Sequence, residues 1–376
     1  MDARLKKRGT KQRGAKKGQD RWTAVVPLSK DADGKWRQYR FTFVGNKRDA
    51  DRALTAELAQ IGEGTFVTPE RSTFGDYLTA WLKTNRTRYA AKTWERYDSL
   101  AKIHIIPALG DVPLQRLTAS HLNRAYSAWR DAKLKGQTVL HHHRLIHRVL
   151  ASALREGRIR ANVAAIADKP KAERHERRHF SIDEIVRIIG VAPARLWRAL
   201  IILALATGAR RGELLGLKWV DVDLGRGVIA IRRSLEQTKQ SGVCEKSPKS
   251  GKERVVDLPA TAVEVLRRHR AEQGAIGGSY MFPGVDGAPW TPHKVTDGFR
   301  EILRQAKVKG GSFHSLRHTA ATQMLELEVA PKVVQERLGH STIAITMDLY
   351  SHVTPSMQAE AARRQDEVLR LLLRET

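Results

Sequence analysis

The hydrophobic period of this chain changes once, near Ser72, and that change limits the possible folds more than any other feature. Before it, "RWTAVVPLSKDADGKWRQYRFTFVG" (21–45) alternates apolar and polar residues on both sides of Asp33-Gly34, the pattern of two antiparallel strands joined by a tight turn. "NKRDADRALTAELAQIGEG" (46–64) then turns helical, which predicts a small sheet packed on one helix. Trp22, Trp36, Tyr39 and Phe41 are expected to fill the core of so small a domain, with nucleic-acid contact as the alternative.

From Ser72 onward Phe74, Tyr77, Leu78, Trp81 and Leu82 recur at i, i+3, i+4, i+7 and i+8, one face of a helix. "KTWERYDSLAKIHI", "TASHLNRAYSAWRDA" and "TVLHHHRLIHRVLASALREG" show similar faces, with Thr93 and Thr118 placed as N-caps and Gly157 as a stop. Four helices predict an all-helical domain whose Arg-, Lys- and His-rich polar faces suit phosphate contact. The triple histidine at 141–143 has no acidic or cysteine companion at metal-ligand spacing, so it is expected on a solvated or phosphate-facing helix surface.

"ADKPKAERHERRHFS" (167–181) is charged, apolar-poor and broken by Pro170, which marks a linker. Beyond it the pattern predicts helices to about 217, a strand pair between about 227 and 258, and helices again. The whole reads as a mainly α protein with small β elements (α+β). Its expected divisions are 1–66, 67–168, a linker at 169–180, and 181–376.

A length of 376 residues exceeds one hydrophobic core, which agrees with several domains. A formal net charge of +27 concentrates polyanions at the surface, so nucleic acid is the leading partner. The first twenty residues carry eight Lys or Arg against two Asp and read as a basic arm without a signal-peptide core. Cys244 is the single cysteine, which excludes an internal disulfide and a cysteine-zinc cluster and fits a reducing cytosol. The run "ALIILALA" (199–206) is too short to span a bilayer, so a cytoplasmic protein that meets no membrane is expected.

Four stretches of the last domain carry chemistry. In "ATGARRGELLGLKW" an apolar helix breaks at Thr207-Gly208, which sets Arg210 beside the core with Glu213 at i+3 to orient it; a surface ion pair is the bland alternative. "EKSPKSGKERVVDLP" reads as a turn carrying Lys246, Lys249 and Lys252. In "GGSFHSLRHTAAT", His314 and Arg317 share a face at a helix start. "LGHSTIAITMDLYSH" places His340 just after a helix-ending Gly339 and Tyr350 on the next short helix.

Two arginines, two histidines, a lysine and a tyrosine match one task. Phosphoryl transfer depends on positioning and on neutralising the equatorial oxygens, which two guanidinium forks can do in place of metal ions. No P-loop, HExxH or convincing acidic cluster is present, and Asp221 and Asp223 are expected to end a helix and cap a strand. A tyrosine, with an ordinary pKa near 10, needs a cationic pocket and a proton acceptor before it can attack. A phosphotyrosyl ester would conserve the energy of the broken phosphodiester, so neither metal nor nucleotide cofactor is expected.

These residues resemble the tyrosine recombinases, the lambda-integrase family, through "TGARRGE", "HSLRHTAAT", "LGHS" and "TMDLYSH" in that order. The resemblance implies that Arg210 and Arg317 clamp the scissile phosphate and that Lys249 protonates the leaving 5′ oxygen, with Lys246 and Lys252 competing for that place. It implies that His314 takes the tyrosine proton or contacts the phosphate, and that His340 donates to a non-bridging oxygen. Glu213 would support the framework, and Tyr350 would form a 3′-phosphotyrosyl link. It further implies a helical core-binding domain leaving through "GRIRANVA", an arm-type amino-terminal domain, and a homo-tetramer on double-stranded DNA with core and arm sites. A DNA-bending host factor and an excision-promoting protein are the further partners it suggests. The tail "MQAEAARRQDEVLRLLLRET" docks on its own domain or on a neighbouring protomer. A type IB topoisomerase and a non-catalytic DNA-binding relative are the rival readings.

Overall fold

The computed structural model describes residues 4–8, 20–30, 36–63, 66–173, 178–193, 195–247, 253–274, 278–284 and 287–347, together with 362, 363, 365, 366 and 370. It divides into two compact units, Met1–Arg174 and His175–Thr376.

The first unit opens with β1 (Arg4–Arg8), β2 (Asp20–Lys30) and β3 (Trp36–Gly45), an antiparallel sheet in the order β1-β2-β3. The β2–β3 pair is the predicted hairpin, with Trp22 opposite Phe43 and Ala24 opposite Phe41; Asp33 and Gly34 lie outside the described residues. The basic arm departs from expectation, because Arg4–Arg8 pairs with Arg21–Val25 as a third strand. A free β2 edge would leave a row of unpaired amides, and the arm supplies their partners. Trp22, Ala24 and Val26 are buried on one face, as their alternation requires. Helix α1 (Lys47–Gly62) follows, capped by Asn46, whose side chain accepts from Asp49 N.

The remainder of this unit is helical: α2 (Phe74–Thr84), α3 (Ala91–Leu100), a π-turn at Ala101–Ile105, α4 (Ile106–Leu109), α5 (Ala119–Asp131) and α6 (Gly136–Arg155). Its core gathers Phe74, Leu78, Trp81, Ile105, Leu122 and Ile146, each worth roughly 1.5–3 kcal/mol on full burial. Thr118 caps α5 as predicted, and Gly157 ends α6 in the left-handed region at φ 67°. Thr93 does not cap α3. Its amide and that of Trp94 already donate to Ala90 O, so the helix starts three residues earlier, where the chain leaves the extended Tyr89.

The histidines also correct the sequence reading. His142 and His143 are buried, because they lie on the face of α6 that packs against Trp129, His104 and Tyr126, while Arg144, His147 and Arg148 keep the other face exposed. His142 lies 4.5 Å from the Trp129 ring and 4.9 Å from that of His104, and neither of its ring nitrogens has a partner. His143 Nδ1 is 3.0 Å from Tyr126 Oη. His141 alone of the three is partly open to solvent.

The second unit begins with α7 (Ile182–Gly190), α8 (Arg195–Thr207) and α9 (Arg211–Leu215), followed by β4 (Val222–Asp223), β5 (Val228–Ile231), β6 (Ser234–Thr238), β7 (Gly242–Lys246) and β8 (Arg254–Asp257). Then come α10 (Ala260–Gln273), α11 (Pro292–Gln305), α12 (Phe313–Glu326), α13 (Pro331–Leu338) and α14 (Ile343–Met347). Where one strand pair was expected, the chain forms a β4-β5-β8 sheet and a separate β6-β7 hairpin, all antiparallel. Helix α8 is buried along most of its length through Leu200, Ile201, Leu203 and Ala204, so its C-terminus is delivered into the core. Asp221 closes a short 3-10 turn by accepting from Lys218 N and pairs with Arg233 at 2.5 Å, while Asp223 accepts from Gly225 N and Arg226 N.

Candidate active site

The site is built around the end of α13. A helix leaves its last carbonyls without intrahelical partners and carries partial negative charge there. Here three successive carbonyls are each taken by an arginine. Arg254 Nε donates to Arg337 O at 3.0 Å, Arg317 Nη1 to Leu338 O at 2.7 Å, and Arg210 Nη2 to Gly339 O at 2.9 Å. Gly339 makes this turn possible: its φ is 67°, and a Cβ there would stand 2.8 Å from Arg254 Nη1. Gly208, which ends α8, has φ 62°, and a Cβ on it would meet Leu338 Cδ2 at 2.2 Å. The two glycines of "TGARR" and "LGHS" thus let α8 and α13 end against each other.

Arg210 is the N-cap of α9 and Glu213 sits in its first turn. Glu213 is wholly buried. Its carboxylate accepts from Arg210 N at 2.9 Å, Arg210 Nη1 at 2.8 Å and Arg254 Nη2 at 2.6 Å. Burial alone would raise its pKa, but the hydrogen bond and charge of Arg254, reinforced by Arg210, hold it below the ordinary carboxylate range. The surface-pair alternative for Arg210 and Glu213 therefore falls. Arg317, from α12, is buried and donates to Gly208 O as well as Leu338 O. Its Nη2 is buried with no hydrogen-bond partner, as is Arg254 Nη1.

His314, one turn before Arg317 on α12, keeps an exposed surface. Loss of hydration on its packed side, then the charges of His318, Arg317, Arg210 and Arg211, push its pKa down, so it is neutral at pH 7 and can accept a proton. His340 is half-buried. Its amide donates to Gln335 O at 3.0 Å, and its Nδ1 lies 2.9 Å from Thr346 Oγ1.

Arg210, Glu213, His314, Arg317 and His340 thus belong to one unit around the α13 end, whereas Tyr350, Lys249 and Lys252 lie outside the described residues. Lys246 ends strand β7, beyond which the chain runs on to β8, and its Nζ pairs with Glu236 at 2.5 Å. The β6–β7 turn is at Lys239–Ser241, so Lys246 is no tip residue. Sequence reasoning missed Arg254, Arg337 and Thr346. Arg337 Nη2 ties the same turn to Ala206 O at 2.9 Å and Asp257 O at 2.6 Å. The one available signal for Arg254 was a cation at the head of the short apolar strand "RVVD".

Comparison with known proteins identifies the family. Residues 177–357 match the phage integrase family, and residues 73–130 match the phage integrase N-terminal SAM-like domain. A tyrosine recombinase XerC from Xanthomonas campestris pv. campestris is 30% identical over 263 residues, covering 69% of this chain and 77% of that protein. A tyrosine recombinase XerC-like protein of Caldanaerobacter subterraneus subsp. tengcongensis is 26% identical and covers 94% and 97% of the two chains. Among solved structures, a Tn1549 transposon integrase in complex with transposon right end DNA has a TM-score of 0.70 at 20% identity, over 78% of this chain and 99% of that one. A lambda integrase tetramer bound to a Holliday junction has a TM-score of 0.60 at 22% identity, over 85% and 93%. The topoisomerase alternative has no such support, and the chain belongs to the phage integrase family of tyrosine recombinases, enzymes that cleave and rejoin DNA strands.

Proposed function

We propose that this chain integrates or excises a mobile element by site-specific recombination, with residues of 181–376 cutting one DNA strand at a time. Arg210 and Arg317 grip the non-bridging oxygens of the scissile phosphate, and Glu213 with Arg254 keeps Arg210 aimed. Tyr350 Oη attacks phosphorus as the bond from phosphorus to the 5′ oxygen breaks. Its proton passes to His314, and Lys249 gives a proton to the departing oxygen. His340 donates to a non-bridging oxygen. The 3′-phosphotyrosyl ester then awaits the 5′ hydroxyl of a second strand, whose attack frees the tyrosine without nucleotide fuel.

The observation that carries this reading is the unpartnered, buried Nη2 of Arg317, beside a second arginine fixed on the adjoining carbonyl. A phosphate oxygen satisfies such a donor.

Residues 1–66 are proposed to bind arm sites, 67–168 core sites on duplex DNA, and 169–180 to link them to the catalytic part. The assembly inferred is a homo-tetramer, supported by the junction-bound lambda integrase. A DNA-bending host factor and an excision-promoting protein complete the set of partners. A cytoplasmic location accords with the observation that no helix among the described residues is long and apolar enough to cross a membrane.

The test is a nicked duplex carrying the chain's attachment site, on which cleavage releases a short fragment and strands the covalent complex. Wild-type protein accumulates the complex, Arg317→Ala does not, and Tyr350→Phe binds the duplex without attaching. Attachment by Tyr350→Phe at the wild-type rate would overturn the assignment.

A further inference from the structure

Helix α14 is short, its neighbours Ser341 and Thr342 are exposed, and Ile343 and Met347 stand open at 45% and 47%. The one residue it buries completely is polar: Thr346 has no exposed surface. The buried hydroxyl is matched by a ring nitrogen, since Thr346 Oγ1 lies 2.9 Å from His340 Nδ1. The backbone of His340 is fixed independently, since its amide donates to Gln335 O and its carbonyl accepts from Gln335 Nε2 at 3.3 Å. Gln335 thus fixes the backbone of His340, and Thr346 meets its ring at Nδ1.

We propose that Thr346 is a positioning residue for strand cleavage: its hydroxyl donates to His340 Nδ1 and thereby keeps the imidazole proton on Nε2. A neutral imidazole has one donor and one acceptor nitrogen, and the bond at one decides the tautomer at the other. For a neutral His340 to donate from Nε2 to a phosphate oxygen, Nε2 must carry the proton and Nδ1 must accept. A threonine hydroxyl can give a proton to Nδ1, whereas valine, of the same shape, cannot. Thr346 also precedes Tyr350 by four positions in the sequence.

This inference rests on the role proposed for His340, and the experiment separates the two. Full-length protein with ¹⁵N-labelled histidine is compared as wild type, Thr346→Val and Thr346→Ser, reading the His340 ring tautomer by NMR and cleavage of the nicked attachment-site duplex in parallel. The expected result is an Nε2–H tautomer in wild type and Thr346→Ser, and a mixed tautomer in Thr346→Val. Cleavage by Thr346→Val should slow by about ten- to a hundredfold, the usual cost of losing a partner that orients a histidine, with duplex affinity unchanged and Thr346→Ser restoring the rate. A wild-type tautomer and rate in Thr346→Val, alongside an impaired His340→Ala, overturns the positioning role alone. Full activity in His340→Ala overturns the reading beneath it.

Discussion

Glu213→Ala is the sharpest perturbation of the arginine framework. The substitution removes a buried carboxylate that accepts three hydrogen bonds, and it leaves Arg254, whose side chain is 10% exposed, with a guanidinium bound only to Arg337 O. Breaking a buried pair by removing one partner costs about 3–5 kcal/mol, because the other charge stays desolvated. For a unit of about 200 residues that is a fall in Tm of about 6–20 °C. Differential scanning calorimetry of the full chain resolves the transition of this unit, and Asp223→Ala, which loses only two turn hydrogen bonds, serves as the mild control. The pH dependence has a definite sign. Because the folded pKa of Glu213 lies below its ordinary value, its contribution is present above about pH 4.5 and is lost as pH falls through the folded value. Glu213→Gln, which keeps the shape without the charge, should flatten that acid slope. A Tm within about 2 °C of wild type for Glu213→Ala would refute the idea that this carboxylate organises the site.

Two further outcomes concern other parts of the molecule. Gly339→Ala should cost more than the roughly 1–2 kcal/mol of a left-handed backbone alone, since its Cβ meets Arg254, and Gly242→Ala at φ 64° with open space around it should pay only the backbone share; equal denaturant midpoints would contradict this. His142→Leu tests the buried histidine. Burial first, then the charges of His104, His141 and Arg96, lower its pKa to about 4, so the stability of wild type is full above about pH 6.5 and declines as pH falls toward 4. Against His142→Leu the wild type should lose about 2 kcal/mol between pH 8 and pH 5, read from urea unfolding of the Met1–Arg174 unit, and a pH-independent gap would rule it out.

What the sequence made legible is what has a period or a fixed local geometry. The alternation of Trp22, Ala24 and Val26 and the helical stripe of Phe74 to Leu82 are each imposed by burying one face of a regular element, so they are visible in one dimension. Arg210, Arg317 and His340 were legible because short polar motifs beside glycine breaks are unusual. Arg254 and Thr346 were not, because their roles come from contacts across 41 positions to Glu213 and across a turn to His340, which no local pattern encodes. Thr93, His142 and His143 were misplaced for the opposite reason. Their local chemistry suits a cap and a wet surface; an earlier helix start at Ala90 overrode the first and tertiary packing the second. The third strand at Arg4–Arg8 had no apolar alternation to announce it, since its place is set by the edge of β2.

The central claim is that one phenol oxygen becomes the link between protein and DNA. The direct measurement is mass spectrometry of the covalent complex after digestion with protease and nuclease. A single adduct is expected, on the peptide containing Tyr350, bearing a nucleotide joined through its 3′ phosphate. An adduct on any other residue, or one joined through a 5′ phosphate, would contradict the account.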